Sequence, residues 1–210
     1  MTANNDAKIG GLLLAAGSSS RLGQPKQLVQ FEGKTLIRRS AEMLAASTCD
    51  PVAVVLGAEI EESRRELVGL DVSVCTNTSW KVGISSSIKS GLRHLLSLEP
   101  DLDAVLIALC DQPYVTCADY DRLAAKFRLG GSPIVASVYN GVTGVPVVFG
   151  KEMFDGLFEL KGDKGARYLV RQSDNVSTVP VDGAAFDIDK LDDLAKDSSK
   201  HNPSSSNTNV

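Results

Sequence analysis

The stretch that decides the fold of this 210-residue chain reads Leu12-Leu13-Leu14-Ala15-Ala16-Gly17-Ser18-Ser19-Ser20-Arg21-Leu22-Gly23-Gln24-Pro25-Lys26. The apolar run from Ile9 to Ala15 is typical of a buried strand, and it breaks into a loop of small residues. Such a loop lets a polyphosphate approach the backbone N–H groups, and two cations, Arg21 and Lys26, follow. Neither the P-loop pattern nor the dinucleotide pattern G-x-G-x-x-G is present. The stretch therefore predicts a phosphate site in a different nucleotide-binding fold.

The composition predicts one domain with a proper core, because 43% of the residues are hydrophobic. Lys and Arg total 22 against 26 Asp and Glu, a formal charge of −4, which argues against a nucleic-acid partner and makes any anion site local. We expect a flexible N-terminus over 1–8, the domain over 9–196 and a disordered tail over 197–210, where the sequence is almost entirely polar.

The cysteines and the N-terminus favour a reduced, cytoplasmic protein. The four cysteines are scattered without C-x-x-C spacing and the two histidines lie apart from them, which argues against zinc. The first eight residues lack the apolar segment of a signal peptide. No apolar run approaches the roughly 18 residues that span a bilayer, so we expect no membrane association.

Apolar runs alternate with helical patterns, which indicates βαβ units and a mostly parallel sheet. The predicted fold is a single Rossmann-like α/β domain, a three-layer α/β/α sandwich with an antiparallel edge. At Pro146 we expect this edge or an antiparallel excursion, because proline removes a ladder donor and belongs at an edge or a strand start. The predicted strands are 9–15, 52–56, 72–75, 104–109, 133–138 and 145–149, and the predicted helices are 35–46, 59–68, 85–98, 118–129, 151–157 and 164–171.

Acidic residues supply the second half of a site. Asp111 follows the apolar strand 104–109 directly, and ligands of open parallel sheets bind beyond the carboxyl ends of strands. A carboxylate beside a polyphosphate indicates Mg²⁺, which offsets the repulsion. Asp187 and Asp189 lie on one side of an extended segment, and either can face the site. Capping roles are the alternative, Asp111 for the following turn and Asp189 for a helix over 190–195.

Five motifs in order resemble the MobA-like nucleotidyltransferases, and among them most closely the molybdenum cofactor cytidylyltransferases. The motifs are L-A-A-G-S-S-S-R-L-G-x-P-K-Q-L from Leu14, N-x-x-W-x-x-G-x-x-S-S from Asn77, C-D-Q-P from Cys110, G-V-P-V-V-F-G from Gly144, and D-I-D from Asp187. The resemblance extends from about Ile9 to Leu194, which is nearly the whole chain. It implies transfer of a nucleotidyl group from a nucleoside triphosphate to a phosphorylated acceptor, with Mg²⁺ and release of pyrophosphate.

The resemblance also assigns roles to residues. The implied catalytic residues are Arg21, Lys26 and Asp111, with Asp111 and then Asp189 as metal ligands. The implied nucleotide-binding residues are Leu14, Ala15, Ala16, Gly17, Arg21, Lys26, Asn77 and Ser86. The implied acceptor-binding residues are Trp80, Gly144, Pro146, Lys164 and Arg167.

Structural roles compete with several of these assignments. Trp80 can pack against the sheet edge while Asn77 and Ser86 cap the helix that follows. The charged segment with Lys164 and Arg167 can be a solvated face. Cys110 is expected to be a small apolar residue rather than a nucleophile.

The implied substrates are CTP and a pterin phosphate, with a molybdoenzyme as a candidate protein partner. Ala16 favours CTP, because its methyl group crowds a purine more than a pyrimidine; one methyl group discriminates by about 1–3 kcal/mol. Thr143-Gly144-Val145 lacks the Arg, His or Asn that many relatives carry near this glycine, so a sugar phosphate or another phosphorylated metabolite is an alternative acceptor. A non-catalytic cofactor-insertion chaperone is another alternative, and a nicotinamide oxidoreductase is disfavoured by the missing glycine fingerprint.

Overall fold

The computed structural model describes residues 4–17 and 25–188. Of the predicted flexible N-terminus, residues 4–8 are described: the Asn4 N–H donates to the Arg128 carbonyl at 2.8 Å, and Ala7 is buried. The predicted tail over 197–210 lies outside the described residues. No helix in the described part of the chain is long and apolar enough to cross a membrane.

A seven-stranded sheet forms the middle layer, in the order β5-β4-β1-β6-β8-β7-β9. Every pairing in it is parallel except those of β8, which runs antiparallel to both of its neighbours. The strands of this sheet are β1 (Ile9–Ala15), β4 (Val52–Leu56), β5 (Ser73–Thr76), β6 (Ala104–Leu109), β7 (Ile134–Tyr139), β8 (Val142–Gly150) and β9 (Val176–Pro180), and a separate small hairpin is made of β2 (Gln30–Phe31) and β3 (Lys34–Thr35).

Helices cover both faces of the sheet, which confirms the predicted three-layer sandwich. They are α1 (Leu36–Ala45), α2 (Ile60–Glu66), α3 (Ile84–Leu98), α4 (Cys117–Arg128), α5 (Phe154–Glu159) and α6 (Ala166–Gln172). One apolar cluster joins α1 and α4 to one face of the sheet, and a second joins α3, α5 and α6 to the other. Strands β1, β4 and β6 are almost fully buried, as continuous apolar runs between two helical layers require.

The antiparallel strand is confirmed, but its predicted place at an edge is wrong, because β8 lies between β6 and β7. The register of β7 against β8 jumps between Ala136, which faces Val147, and Ser137, which faces Gly144. Pro146 sits in this bulge, where its missing N–H breaks no ladder bond, and its carbonyl accepts a hydrogen bond from Ser137 Oγ at 2.6 Å. A bulge therefore lets an interior strand carry the proline.

Two elements were not predicted. Strand β9 is short and only partly buried, so its sequence carries little apolar signal. The β2–β3 hairpin has two residues in each strand, too few for a recognisable alternation.

Strands β7 and β8 are joined by a tight turn at Asn140-Gly141, where both residues have positive φ. Asn-Gly is the strongest short sequence signal for a β-hairpin.

The close contact of α3 with the sheet predicts an unusual response at Gly91. A Cβ there would lie 2.2 Å from Leu12 Cδ1 and 2.7 Å from Val55 Cγ2. We expect Gly91→Ala to lower the free energy of unfolding by about 1–3 kcal/mol in urea denaturation, although alanine is the better helix former. The control is Gly156→Ala in α5, where the nearest atom would be 3.7 Å away and stability should hold or rise. Equal or higher stability of Gly91→Ala would contradict the packing described.

Candidate active site

A cleft of about 410 Å³ lies at the carboxyl ends of β1 and β6. These strands pair in parallel, with Leu14 opposite Leu109. The chain leaves β1 toward β4 and β5 on one side and returns to β6 on the other, so the cleft is at the point where the strand order reverses. The lining residues are Leu14, Ala15, Ala16, Gly17, Lys26, Gln27, Trp80, Lys81, Gly83, Ile84, Ser87, Leu109, Cys110, Asp111 and Asp163.

An ion pair between Lys26 and Asp111 forms the charged centre of the cleft. Lys26 begins a short 3₁₀ turn after Pro25, and Asp111 follows β6 by two residues. Lys26 Nζ lies 2.7 Å from Asp111 Oδ2, and the two side chains are only 16% and 21% exposed. Asp111 Oδ1 is buried and has no hydrogen-bond partner among the described residues. A buried carboxylate oxygen of this kind is costly to maintain unless a ligand uses it.

Asp187 is a carboxylate near Asp111, although it is not among the described residues that line this cleft. The Ile188 N–H donates to the Asp111 carbonyl at 3.1 Å, which draws the C-terminal segment alongside the end of β6. Burial, and to a smaller extent repulsion from Asp111, raises the pKa of Asp187. Attraction to Arg167 and Lys26 and a hydrogen bond with Gln112 lower it by less. The structure thus brings Asp187 to the site, whereas Asp189 and Arg21 lie outside the described residues.

The described residues fit a magnesium ion of the kind that phosphates help to bind. No group of three or more His, Cys, Asp and Glu side chains that could hold a metal occurs among residues 4–17 and 25–188. Mg²⁺ bound with a nucleotide needs only one or two carboxylates, because phosphate oxygens and water supply the other ligands. Asp111, with its unpartnered oxygen, and Asp187 provide two.

Trp80 lies on the wall of the same cleft, beside Ala16 and Gly17. Trp80 can approach the end of β1 because residue 57, which lies between them, is glycine. A Cβ at this position would lie 2.6 Å from the Ala16 carbonyl oxygen and 2.7 Å from Trp80 Cβ. The Ala58 N–H donates to that same Ala16 carbonyl at 3.2 Å. The structure therefore places Trp80 in the same cleft as Ala16 and Gly17, and its assignment to the acceptor stays a prediction.

Asn77 and Ser86 are not among the described residues that line the cleft, and their contacts are structural. Neither caps α3, because its N-cap is Gly83 and no described side chain accepts from its first N–H groups. Asn77 is buried, and its Nδ2 donates to Ser86 Oγ at 2.8 Å and to Ser87 Oγ at 3.0 Å. Asn77 Oδ1 accepts from the Ser79 N–H at 3.0 Å. In this segment Ser87 is the serine that lines the cleft. Asn77 thus joins the end of β5 to the start of α3.

A second cavity of about 240 Å³ continues from the first, with Leu14, Ile84, Leu109 and Asp163 lining both. Of the residues predicted to bind the acceptor, Arg167 lines this cavity, and Gly144 and Pro146 lie next to its lining residues. Gly144 lies beneath the Arg167 side chain, and Pro146 is in the β8 bulge next to the lining residue Val145.

The position of Lys164 agrees with the structural alternative, in which the charged segment is a solvated face. Its side chain is exposed, with Nζ 4.3 Å from the centre of the Tyr168 ring. The structure therefore separates Lys164 from Arg167, although both belong to the same charged segment.

Gln112 and Gln27 contribute to the site but were not predicted. Gln112 is buried, and its Nε2 donates to the Val145 carbonyl at 3.3 Å and the Ala184 carbonyl at 3.0 Å. It therefore ties β8 and the C-terminal segment to the end of β6. Gln27 is also buried, and its Nε2 donates to the Ala58 carbonyl at 3.2 Å. Both glutamines lie within the motifs P-K-Q-L and C-D-Q-P, which was the available signal.

Cys110, next to Asp111, shows no feature of a nucleophile. Burial raises the pKa of its thiol to about 12, so the reactive thiolate is scarce near neutral pH. This agrees with its interpretation as a small apolar residue.

A mostly parallel sheet with cations and carboxylates at its reversal point defines an α/β nucleotidyltransferase-type fold. Within that class, the chain belongs to the MobA-like NTP transferase domain family, which matches residues 11–176.

Curated relatives carry three different names. Nicotine blue oxidoreductase of Paenarthrobacter nicotinovorans is 30% identical over 77% of this chain and 81% of its own. The purine catabolism protein PucB of Bacillus subtilis is 29% identical over 88% and 90%. A probable molybdenum cofactor guanylyltransferase of Bacillus cereus is 28% identical over 65% and 70%.

Solved structures share the fold. The crystal structure of Rv0371c from Mycobacterium tuberculosis superposes with a TM-score of 0.78 at 27% identity, covering 90% of this chain and 97% of that one. A complex of Rv0371c with manganese superposes with a TM-score of 0.74, at the same identity and coverage.

The contacts of Asn77 generate a stability prediction. We expect Asn77→Ala to lower the free energy of unfolding by about 1–3 kcal/mol, because the Ser79 N–H and two serine hydroxyls lose a partner at a buried side chain. Chemical denaturation measures the change. Asn5→Ala, at an exposed position, is the control and should stay within about 0.5 kcal/mol. Unchanged stability of Asn77→Ala would mean that Asn77 is not a structural link and would return it to the list of candidate ligand-binding residues.

Proposed function

We propose that this protein transfers the nucleotidyl group of a nucleoside triphosphate, CTP in preference to GTP, to a phosphorylated acceptor of the molybdopterin type and releases pyrophosphate. The observation that carries the proposal is the pairing of Lys26 with Asp111 in a cleft at the reversal point of the sheet, with Asp187 in the adjoining cavity. This centre combines a cation for phosphates with two carboxylates for Mg²⁺.

In this reaction Lys26 and Arg21 neutralise the triphosphate and the charge that develops on the leaving pyrophosphate. Asp111 and Asp187 would hold Mg²⁺, which when bound would supply further positive charge to the phosphates. Ala15, Ala16 and Gly17 lie against the nucleoside, where their small side chains allow close approach. An acceptor phosphate oxygen attacks the α-phosphorus, and most of the acceleration comes from positioning and charge.

The acceptor is assigned to the second cavity, whose walls are mostly apolar and which contains Arg167. The name of the B. cereus relative supports a molybdenum cofactor acceptor. That name specifies guanylyl transfer, so the CTP preference rests on Leu14-Ala15-Ala16-Gly17 together with the motif C-D-Q-P from Cys110. Four free cysteines support the cytoplasm as the compartment, since reducing conditions keep thiols unpaired.

Substitutions at the ion pair test the chemistry. We expect Asp111→Asn and Lys26→Met each to lower kcat/KM for pyrophosphate release by about a hundredfold or more, because each removes charge that the transition state needs. The measurement is a coupled pyrophosphate assay with CTP, Mg²⁺ and molybdopterin or, as alternatives, sugar phosphates.

The matched controls are Asp174→Asn, at an exposed position, and Lys126→Met, on α4, which should keep full activity. Three outcomes contradict the proposal. A sugar phosphate as the sole acceptor changes the substrate, and binding without pyrophosphate release indicates an insertion chaperone. Consumption of NADH or NADPH without pyrophosphate release places the chain with the relative that is named an oxidoreductase.

The base preference has its own test. We expect CTP to raise the melting temperature in the presence of Mg²⁺ more than GTP does, and Ala16→Gly to narrow the difference. One methyl group accounts for about 1–3 kcal/mol of discrimination. Differential scanning fluorimetry with both nucleotides measures it. A larger stabilisation of the wild type by GTP would overturn the CTP preference and leave nucleotidyl transfer intact.

A further inference from the structure

Arg167 carries the positive charge of the second cavity. Of the ten described residues that line this cavity, seven are apolar or glycine, two are the aspartates Asp163 and Asp187, and one is Arg167. A cavity of this kind suits a ligand with a flat apolar body and an anionic substituent, because each part finds a matching surface. The direction of the guanidinium then decides where the anionic substituent can lie.

Two residues outside the lining hold Arg167 in place. Its Nη2 donates a hydrogen bond to the hydroxyl of Tyr139, a buried residue at the end of β7. Beneath it lies Gly144, where a Cβ would be 2.7 Å from Arg167 Nε and 3.0 Å from the Tyr139 hydroxyl oxygen. Any side chain at position 144 would therefore push the guanidinium away from the tyrosine.

Arg167 also retains an unused donor. Its Nε is buried and has no hydrogen-bond partner among the described residues. A buried N–H without a partner costs free energy, and an arginine kept in this way is suited to an anionic acceptor that binds its planar edge.

From these contacts we infer that Tyr139 and Gly144 are positioning residues, which orient Arg167 to bind the anionic group of the second substrate. The inference rests on the proposed function, since that function makes this cavity the acceptor site. It adds Tyr139, which no motif singled out, and explains why a glycine suits position 144: the guanidinium occupies the space of its missing side chain.

The test compares two fluorescent probes, pterin-6-carboxylate and unsubstituted pterin, in titrations of the full chain with CTP and Mg²⁺ present. We expect the wild type to bind the carboxylated probe about tenfold more tightly or better, as a charge-assisted bidentate contact provides. Arg167→Ala should abolish this preference. Tyr139→Phe and Gly144→Ala should reduce it several-fold while leaving CTP affinity unchanged.

Matched controls separate positioning from general damage. Tyr168→Phe is at an exposed position, Arg171→Ala lies on the same helix α6, and Gly156→Ala replaces a glycine with space around it; all three should keep the preference. If Gly144→Ala fails to fold, Tyr139→Phe alone decides, because it removes one hydroxyl group.

The outcomes distinguish this inference from the function on which it rests. Loss of the preference in Arg167→Ala but not in Tyr139→Phe would overturn the positioning role. An equal affinity of the wild type for the two probes, or no binding of either, would overturn the anion site. Failure of CTP to bind would instead contradict the proposed function, and the probes are then compared without nucleotide, with the same expected preference.

Discussion

Strands β1 and β6 pair in parallel from Ile9 opposite Ala104 to Leu14 opposite Leu109, and both ends point to one edge of the sheet. This pairing joins two parts of the sequence that are about a hundred residues apart. β1 and β6 are parallel neighbours joined by a long crossover connection, so both strands end at the same edge of the sheet. The loop after β1 and the segment after β6 therefore lie side by side. The whole site depends on that juxtaposition, since it sets Lys26 against Asp111 in the lining of the cleft.

Charge in the cleft is concentrated, although the protein as a whole is acidic. Lys26 and Asp111 neutralise each other, but Asp187 adds a second carboxylate and Asp111 keeps an unpartnered oxygen. Such a cluster is expensive in a partly buried position, where desolvation weakens the benefit of an ion pair. A bound phosphate and a divalent cation would balance these charges and give the Asp111 oxygen a partner. Costly local arrangements of this kind are expected at functional sites.

The central strands were predicted to the residue, because a strand buried on both faces must be apolar throughout and loops mark its ends. The same reasoning failed for Pro146, since a proline excludes ladder pairing but does not tell an edge from a bulge. It also missed β9, whose side chains are partly exposed.

The acidic and basic residues of the centre were likewise predictable only in part. Their place after strands could be derived from the pattern, which predicted Asp111 and Lys26. The position of Asp187 depends on how a segment without periodic structure turns back to β6, and the Ile188 to Asp111 hydrogen bond provides that information; Asp189 lies outside the described residues. The places of Trp80 and Tyr139 in the site could be derived only from three-dimensional contacts. The position of Trp80 depends on Gly57, and that of Tyr139 depends on the β7–β8 hairpin.

The most direct test of the central claim is a crystal structure of the full chain with CTP and Mn²⁺, in which anomalous scattering locates the ion. The account predicts a triphosphate in contact with Lys26 and an ion in contact with the carboxylates of Asp111 and Asp187. A nucleotide bound away from the end of β6, or an ion that does not touch Asp111, would contradict it.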